Sequence, residues 1–217
     1  MAVSARIISL VIGYVCGLFL TGYFVGKMEG VDLTKHGSGN VGTTNTLRIL
    51  GVAKGGLTLL GDFLKGAVPA AIVYALFFSR YPEGVRLLMT YACFGAVLGH
   101  DFPIYMLKHG GKGIATSAAM VAICFPRALP LLIVAFIVIV FFTRYVSLGS
   151  ITIAILFAAE VIIFAAFGDL TYFNQYLLEA VFIAIVTAAL AVWKHRSNIE
   201  RLMSGTENKF SFKNAGK

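Results

Sequence analysis

The chain has 217 residues, 59% of them hydrophobic and only 13% charged, with a formal net charge of +8. A water-soluble domain carries roughly a quarter charged residues, so this composition excludes an ordinary soluble globular protein and makes a polyhelical membrane protein the expectation. The basic excess forms no stripe interleaved with exposed aromatics, which excludes nucleic acid; it marks one membrane face and a liking for anionic head groups or substrates.

Arg6 precedes an apolar run over 7–25. At about 19 residues it is nearer a spanning length than the core of a cleavable signal, and it reads as an uncleaved first span. Gly13/Gly17 and Gly22/Gly26 have the small-xxx-small spacing that lets helices approach closely, a packing feature. Six further apolar stretches follow at about 53–79, 86–107, 113–126, 128–146, 148–168 and 175–193. The second carries Lys54, Asp62 and Lys65 in its first half, which must therefore face protein or water. The fourth is short for a span. Cys16, Cys93 and Cys124 all lie in apolar runs without CxxC spacing, so they read as core residues, with neither a disulfide framework nor a metal site. No polar segment is long enough for a second domain. The expectation is an all-α, polytopic integral membrane protein of about seven transmembrane helices, a single domain over 1–217 with 194–217 as its tail.

If all seven stretches cross, the segments 26–61, 108–112, 143–150 and 194–217 share one face. That face holds 13 of the 18 lysines and arginines: Lys27, Lys35, Arg48, Lys54, Lys108, Lys112, Arg144, Lys194, Arg196, Arg201, Lys209, Lys213 and Lys217. The other face holds Arg6, Arg80, Arg86 and Arg127, and Lys65 lies within a span. The positive-inside rule makes the rich face cytoplasmic, with the N-terminus outside and the C-terminus inside.

The unusual polar residues gather on that same face. In the segment 36–48, "HGSGNVGTTNTLR", Gly37, Gly39 and Gly42 free the backbone to turn N–H groups inward, as in an anion-binding nest. Ser38, Asn40, Thr43, Thr44 and Asn45 add neutral donors, and Arg48 brings a planar fork suited to phosphate. The plainer reading is a polar turn in which Thr44 or Asn45 caps the next helix. A second group joins His100 to "KHGGKGIAT", where Gly110, Gly111, Lys112 and Gly113 precede a helix start. Gly113 follows Lys112 where a Walker loop needs Ser or Thr, so no nucleotide is implied; what remains is a small volume facing backbone N–H groups, a helix N-terminus and an ammonium. The third group is His195 with Asn198, after the last apolar stretch. The fourth is 143–150, with the hydroxyls of Ser147 and Ser150. No catalytic triad, G-x-S-x-G or H-E-x-x-H motif and no metal-binding carboxylate pair appears.

With "GSGNVGTTNTLR", "GHDFPIYMLKHGGKGIAT", "TRYVSLGS" and "HRSNIERLMSGTEN" in that order at the loop ends, the chain resembles, nearly end to end, the bacterial glycerol-3-phosphate acyltransferases of the PlsY family, which use acyl phosphate as donor. The family often has Ala where Thr43 stands and Phe near His109. The resemblance implies transfer of a fatty acyl group from acyl phosphate to the 1-hydroxyl of sn-glycerol 3-phosphate. The products would be 1-acylglycerol 3-phosphate (lysophosphatidic acid) and phosphate, in the first step of phospholipid biosynthesis. By motif position it implies Ser38, Arg48, Lys112, His195 and Asn198 as catalytic residues. Gly37, Gly39, Asn40, Gly42, Thr43, Thr44, Asn45, His100, Gly110, Gly111, Gly113, Ser147 and Ser150 would then bind substrate. It implies no metal and no cofactor, a monomer in contact with membrane lipid, and a site on the cytoplasmic face of the bacterial inner membrane. Two candidates stand for the general base: the acceptor's own phosphate, as the family's mechanism has it, and His195. The rival class is a transporter of an organic phosphate, whose charges would lie near the bilayer midplane.

Overall fold

Residues 1–106 and 109–210 are described in a computed structural model of the chain; Lys108, Lys213 and Lys217 of the basic face lie outside them. Among the described residues every regular element is helical: α1 (Val3–Gly17), α2 (Thr21–Met28), α3 (Thr43–Leu50), α4 (Val52–Phe77), α5 (Val85–Asp101), α6 (Ile114–Cys124), α7 (Leu129–Thr143), α8 (Val146–Ala166), α9 (Leu177–Lys194) and α10 (Arg196–Met203), with a 3-10 segment over Thr171–Tyr176. Each of the seven apolar stretches contains a helix.

Four of these helices are long and apolar enough to cross a bilayer: Val3–Met28 taken together, α4, α8, and Thr171–Lys194. The first of them is interrupted at Leu18–Leu20, which separates α1 from α2. The carbonyls freed there are capped from elsewhere: Lys65 Nζ donates to the Phe19 oxygen at 3.1 Å, and the Tyr105 hydroxyl donates to that of Leu18. Backbone groups shielded from water need such partners. At 11 residues, α6 rises only about 17 Å, little more than half a hydrocarbon core.

The tightest seam joins α1 to α5, and small residues on both sides make it possible. A Cβ on Gly13 would lie 1.9 Å from the Ala92 oxygen and one on Gly17 2.2 Å from that of Ala96; reciprocally, Gly95 and Gly99 meet the carbonyls of Leu10 and Tyr14 at 2.1 and 2.2 Å. Backbones this close admit no side chain. The main core lies elsewhere, between α5, α6, α8 and α9, where Leu87, Met120, Phe125, Phe157, Val161, Leu170 and Phe173 are buried together.

Asp62 and Lys65 face inward from α4, as their position in an apolar stretch required. Both are almost fully buried and paired at 2.9 Å, and Lys65 Nζ also meets His100 Nδ1 on α5. Lys54 pairs instead with Glu29 at the helix start. At the end of the bundle holding the start of α1 and the start of α9, three of the four arginines are committed to structure. Arg6 takes both carboxylate oxygens of Glu179. Arg86 donates to the Ile123 oxygen and lies over the Tyr172 ring, and Arg127 pairs with Asp169. The cations at the other end are arranged differently.

Candidate active site

At that other end, segment 36–42 folds into a compact loop held from behind by Asn45 on α3. The Asn45 Oδ1 accepts the Ser38 N–H at 2.9 Å, while its Nδ2 donates to the carbonyls of His36 and Leu33 at 3.0 and 3.2 Å. Gly37 has φ +62°, and a Cβ there would meet Asn45 Oδ1 at 2.2 Å, so only glycine lets the amide close on the loop. The Asn40 Oδ1 accepts the Gly42 N–H at 2.8 Å, an Asx turn leading into the helix. The cap of α3 is Gly42 rather than Thr44 or Asn45, and no side chain caps it. Its first N–H groups are therefore available to a ligand, and Arg48 follows on the same short helix.

The diglycine does different work from what the sequence implied. Gly111 N–H donates to the His100 oxygen at 2.9 Å. A Cβ on Gly111 would overlap the His100 ring at 1.8 Å, and one on Gly110 would meet the Asp101 oxygen at 2.1 Å. These two residues pack the turn onto the end of α5, and that packing delivers Lys112 and Gly113. Gly113, left-handed at φ 70°, precedes α6 without any side-chain cap.

A cavity of about 450 Å³ lies between this loop, α3, α6, α7, α8 and α9. Ser38, Arg48, Lys112, His195 and Asn198 all line it, as do Asn40, Gly42, Thr43, Thr44, Asn45, His100, Gly113, Ser147 and Ser150. Gly37, Gly39, Gly110 and Gly111 do not form its wall; they shape the two turns behind it. The hydroxyls of Thr43 and Ser117, both on the wall, have no protein partner among the described residues.

Within the polar end, Lys112 Nζ donates to Asn198 Oδ1. Burial, with Arg201 nearby, pushes the Lys112 ammonium down to about 8, although Glu207 opposes the shift. Burial also lowers Arg48, which remains a cation at any physiological pH. His195 Nδ1 lies 2.7 Å from the Ala191 oxygen. A carbonyl can only accept, so Nδ1 carries the proton and Nε2 is the ring's acceptor. Burial, then the charge of Lys112, holds His195 down at about 4, so it is neutral at pH 7.

Two features could not be placed from the sequence. Glu207, in the tail, folds back so that its Oε1 accepts from Ser147 Oγ at 3.0 Å and Asn198 Nδ2 at 2.9 Å, and its Oε2 from Arg201 Nε at 2.7 Å. Burial would raise this carboxyl, but the hydrogen bonds from Asn198, Arg201 and Ser147 outweigh it and hold it below the usual range. The tail is anchored by Phe210 N–H to the Arg144 oxygen at 2.7 Å and by Lys209 over the Tyr145 ring. The signal available in the sequence was one of two acids in a basic tail, Glu200 and Glu207, with no periodicity to place it. The second feature is the cavity's other arm, which runs from the polar end between Ala118 and Val121 of α6, Leu132 and Phe136 of α7, Ile153 and Phe157 of α8, and Thr187 and Ala188 of α9. Thr143, in contrast, uses its hydroxyl on the Ile139 oxygen and the Tyr145 N–H and takes no part in the wall.

Clustered cations, uncapped helix starts and an adjoining apolar arm share one cavity in a chain whose described residues include four helices long and apolar enough to cross a membrane. The sequence model described as "Glycerol-3-phosphate acyltransferase" matches residues 7–205, and the chain belongs to that family. It is 42% identical over 215 residues to the glycerol-3-phosphate acyltransferase of Shouchella clausii (strain KSM-K16), covering 98% of this chain and all (100%) of that one. With the glycerol-3-phosphate acyltransferase of Aquifex aeolicus (strain VF5) it shares 37% over 202 residues, covering 93% and 97%. Among solved structures it is similar to PlsY (YgiH), an integral membrane glycerol 3-phosphate acyltransferase. The glycerol 3-phosphate form gives a TM-score of 0.80 at 34% identity, covering 95% of this chain and 96% of that one. The lysophosphatidic acid form gives 0.77 at 33%, covering 97% of each. Membership of this enzyme family removes the transporter reading, and the crowding of the site's cations at one end of the bundle agrees with that.

Proposed function

We propose that this chain is a glycerol-3-phosphate 1-O-acyltransferase of the bacterial inner membrane that uses acyl phosphate as donor. The observation that carries this is the two-armed cavity: a cationic, donor-rich end continuous with an apolar arm, the shape of a phosphate with a fatty chain attached. Glycerol 3-phosphate and lysophosphatidic acid are named for the solved structures to which the chain is similar, and both substrate and product would share the polar end.

The chemistry asks mainly for positioning and charge neutralisation, because acyl phosphate is already activated. The 1-hydroxyl of glycerol 3-phosphate attacks the acyl carbonyl, a C–O bond forms to it, and the carbonyl carbon's bond to the phosphate oxygen breaks. Phosphate leaves with that electron pair, and the hydroxyl proton goes to the base. Arg48 and, below about pH 8, Lys112 supply the positive charge, and Ser38, Ser147, Ser150 and Asn198 orient the oxygens. A phosphate monoester has a second pKa of about 6, whereas His195 is held at about 4. The acceptor's own phosphate is therefore the stronger base, and neutral His195 orients the acceptor by accepting a hydrogen bond from one of its hydroxyls through Nε2.

The same reading has all seven apolar segments crossing, the N-terminus outside, and the site and the tail from 194 on the cytoplasmic face, in one domain and a monomer. The concentration of basic residues at the site's end supports it. Two experiments test these proposals. Purified protein in detergent, given acyl phosphate and glycerol 3-phosphate, should release phosphate and form acylglycerol phosphate; no release above a Lys112→Ala control refutes the activity. In a chain whose native cysteines are replaced by alanine, Ser38→Cys, Lys112→Cys and Phe210→Cys should label from the inside and Glu83→Cys from the outside. Labelling of the first three from opposite faces refutes the topology.

A further inference from the structure

The apolar arm has a definite end. Measured from the polar residues, Phe157 lies ten positions along α8 from Ser147, about 15 Å of helix; Val121 is eight along α6 from Gly113, and Thr187 eight along α9 from His195, each about 12 Å. All three line the cavity. One turn further on, Val161, Phe125 and Ala184 are buried in the main core and no longer line it. The Phe157 ring stands edge-on to Phe125 at 5.4 Å between centroids, and Phe125 packs on Phe173 at 5.1 Å. The arm thus stops at a ring backed by two further rings. On the α7 side, Ile133 and Ile137 line the arm while remaining 48% and 59% exposed, so that wall opens toward lipid.

We infer that Phe157 is the specificity-determining floor of the acyl site, fixing the chain length beyond which added methylenes no longer contribute to recognition. The inference rests on the acyl-transfer reading above. A chain that has reached Phe157 turns out past Ile133 and Ile137 into the bilayer, where a methylene is as well solvated as in the membrane it came from. Below that length each buried methylene exchanges the looser contacts of lipid or detergent for the protein's close-packed wall, a packing gain that is a fraction of the roughly fourfold per methylene that burial from water gives. Beyond it the gain falls to nothing.

The test is a series of saturated acyl phosphates from octanoyl to stearoyl, with kcat/KM measured for the purified full chain in detergent. Wild-type kcat/KM should climb with length and then level off. Phe157→Ala removes the floor and should move the levelling point to longer chains. Ala154→Leu raises a new floor about one turn nearer the polar end, because Ala154 lies on the same wall one turn before Phe157; it should move the point to shorter chains and lower the palmitoyl-to-octanoyl ratio about tenfold or more. Should Phe157→Ala fail to fold, since it opens the aromatic cluster, Ala154→Leu and Phe157→Leu decide the matter alone. Active variants that keep the wild-type levelling point overturn the floor while leaving the acyltransferase reading intact. A wild-type protein inactive with every acyl phosphate overturns both.

Discussion

The most discriminating prediction concerns the pH dependence of the polar end and the substitution Lys112→Arg. Burial and the neighbouring Arg201 bring the Lys112 ammonium down to about 8. A lysine lowered in this way is charged at pH 7 and loses its charge as pH rises through about 8. If that charge receives the phosphate, kcat/KM for glycerol 3-phosphate should fall above pH ~8, approaching tenfold per unit. Arginine stays protonated to above about 12, so Lys112→Arg should abolish this alkaline limb. Its maximum rate should be lower, because a fork replaces a point charge beside Asn198. On the acid side the limb should lie near about 6, the second ionisation of the substrate phosphate, and not near 4, where His195 titrates. His195→Gln should therefore reduce the rate without moving that limb. The assay is phosphate release at subsaturating glycerol 3-phosphate over about pH 5 to 10, with each variant's fold checked by thermal unfolding. An alkaline limb unchanged in Lys112→Arg, or an acid limb that disappears in His195→Gln, would refute the reasoning.

Other substitutions follow from the geometry. Glu207→Ala releases Ser147, Asn198 and Arg201 together; with hydrogen bonds to charged groups worth about 1.5–3 kcal/mol, kcat/KM should fall roughly 10- to 100-fold, and an unchanged value would show the tail to be a bystander. Asn45→Ala leaves the Ser38 N–H and the His36 and Leu33 carbonyls without their partner. It should cost about 2–3 kcal/mol of stability and make segment 36–42 open to proteolysis before global unfolding. Gly13→Leu drives a side chain into the Ala92 carbonyl and should give no folded protein in detergent, whereas Gly56→Ala, whose Cβ meets nothing within 4 Å, should be tolerated.

Composition and hydropathy pointed to an all-helical membrane protein, because continuous apolar runs near the length of a spanning helix lack the alternation of barrel strands, the other structure that satisfies its backbone in lipid. The polar motifs were legible for a related reason: clustered hydroxyls, amides and cations between apolar segments are not needed to span a bilayer, and all five residues to which the resemblance gave a catalytic role line one cavity. The sequence also implied that the glycines of both loops touch the ligand. Tertiary structure divided them: Gly42 and Gly113 stand at helix starts on the cavity wall, whereas Gly37 accommodates the Asn45 amide and Gly110 and Gly111 accommodate the end of α5. A glycine spacing records only that a side chain is excluded, and says nothing of what excludes it.

What the sequence determined by itself, then, was the class of solvent, the helical segments and the chemistry of the loops, all properties of residues read locally. Tertiary structure alone decided that Glu207 would reach across to Ser147 and Asn198, that Lys65 would cap the break after α1, and that the cavity's apolar arm would end at Phe157. Each of those depends on residues 9 to 60 positions apart meeting in space, and such single contacts, unlike the glycine spacing of the α1–α5 seam, leave no periodic trace in the chain that makes them.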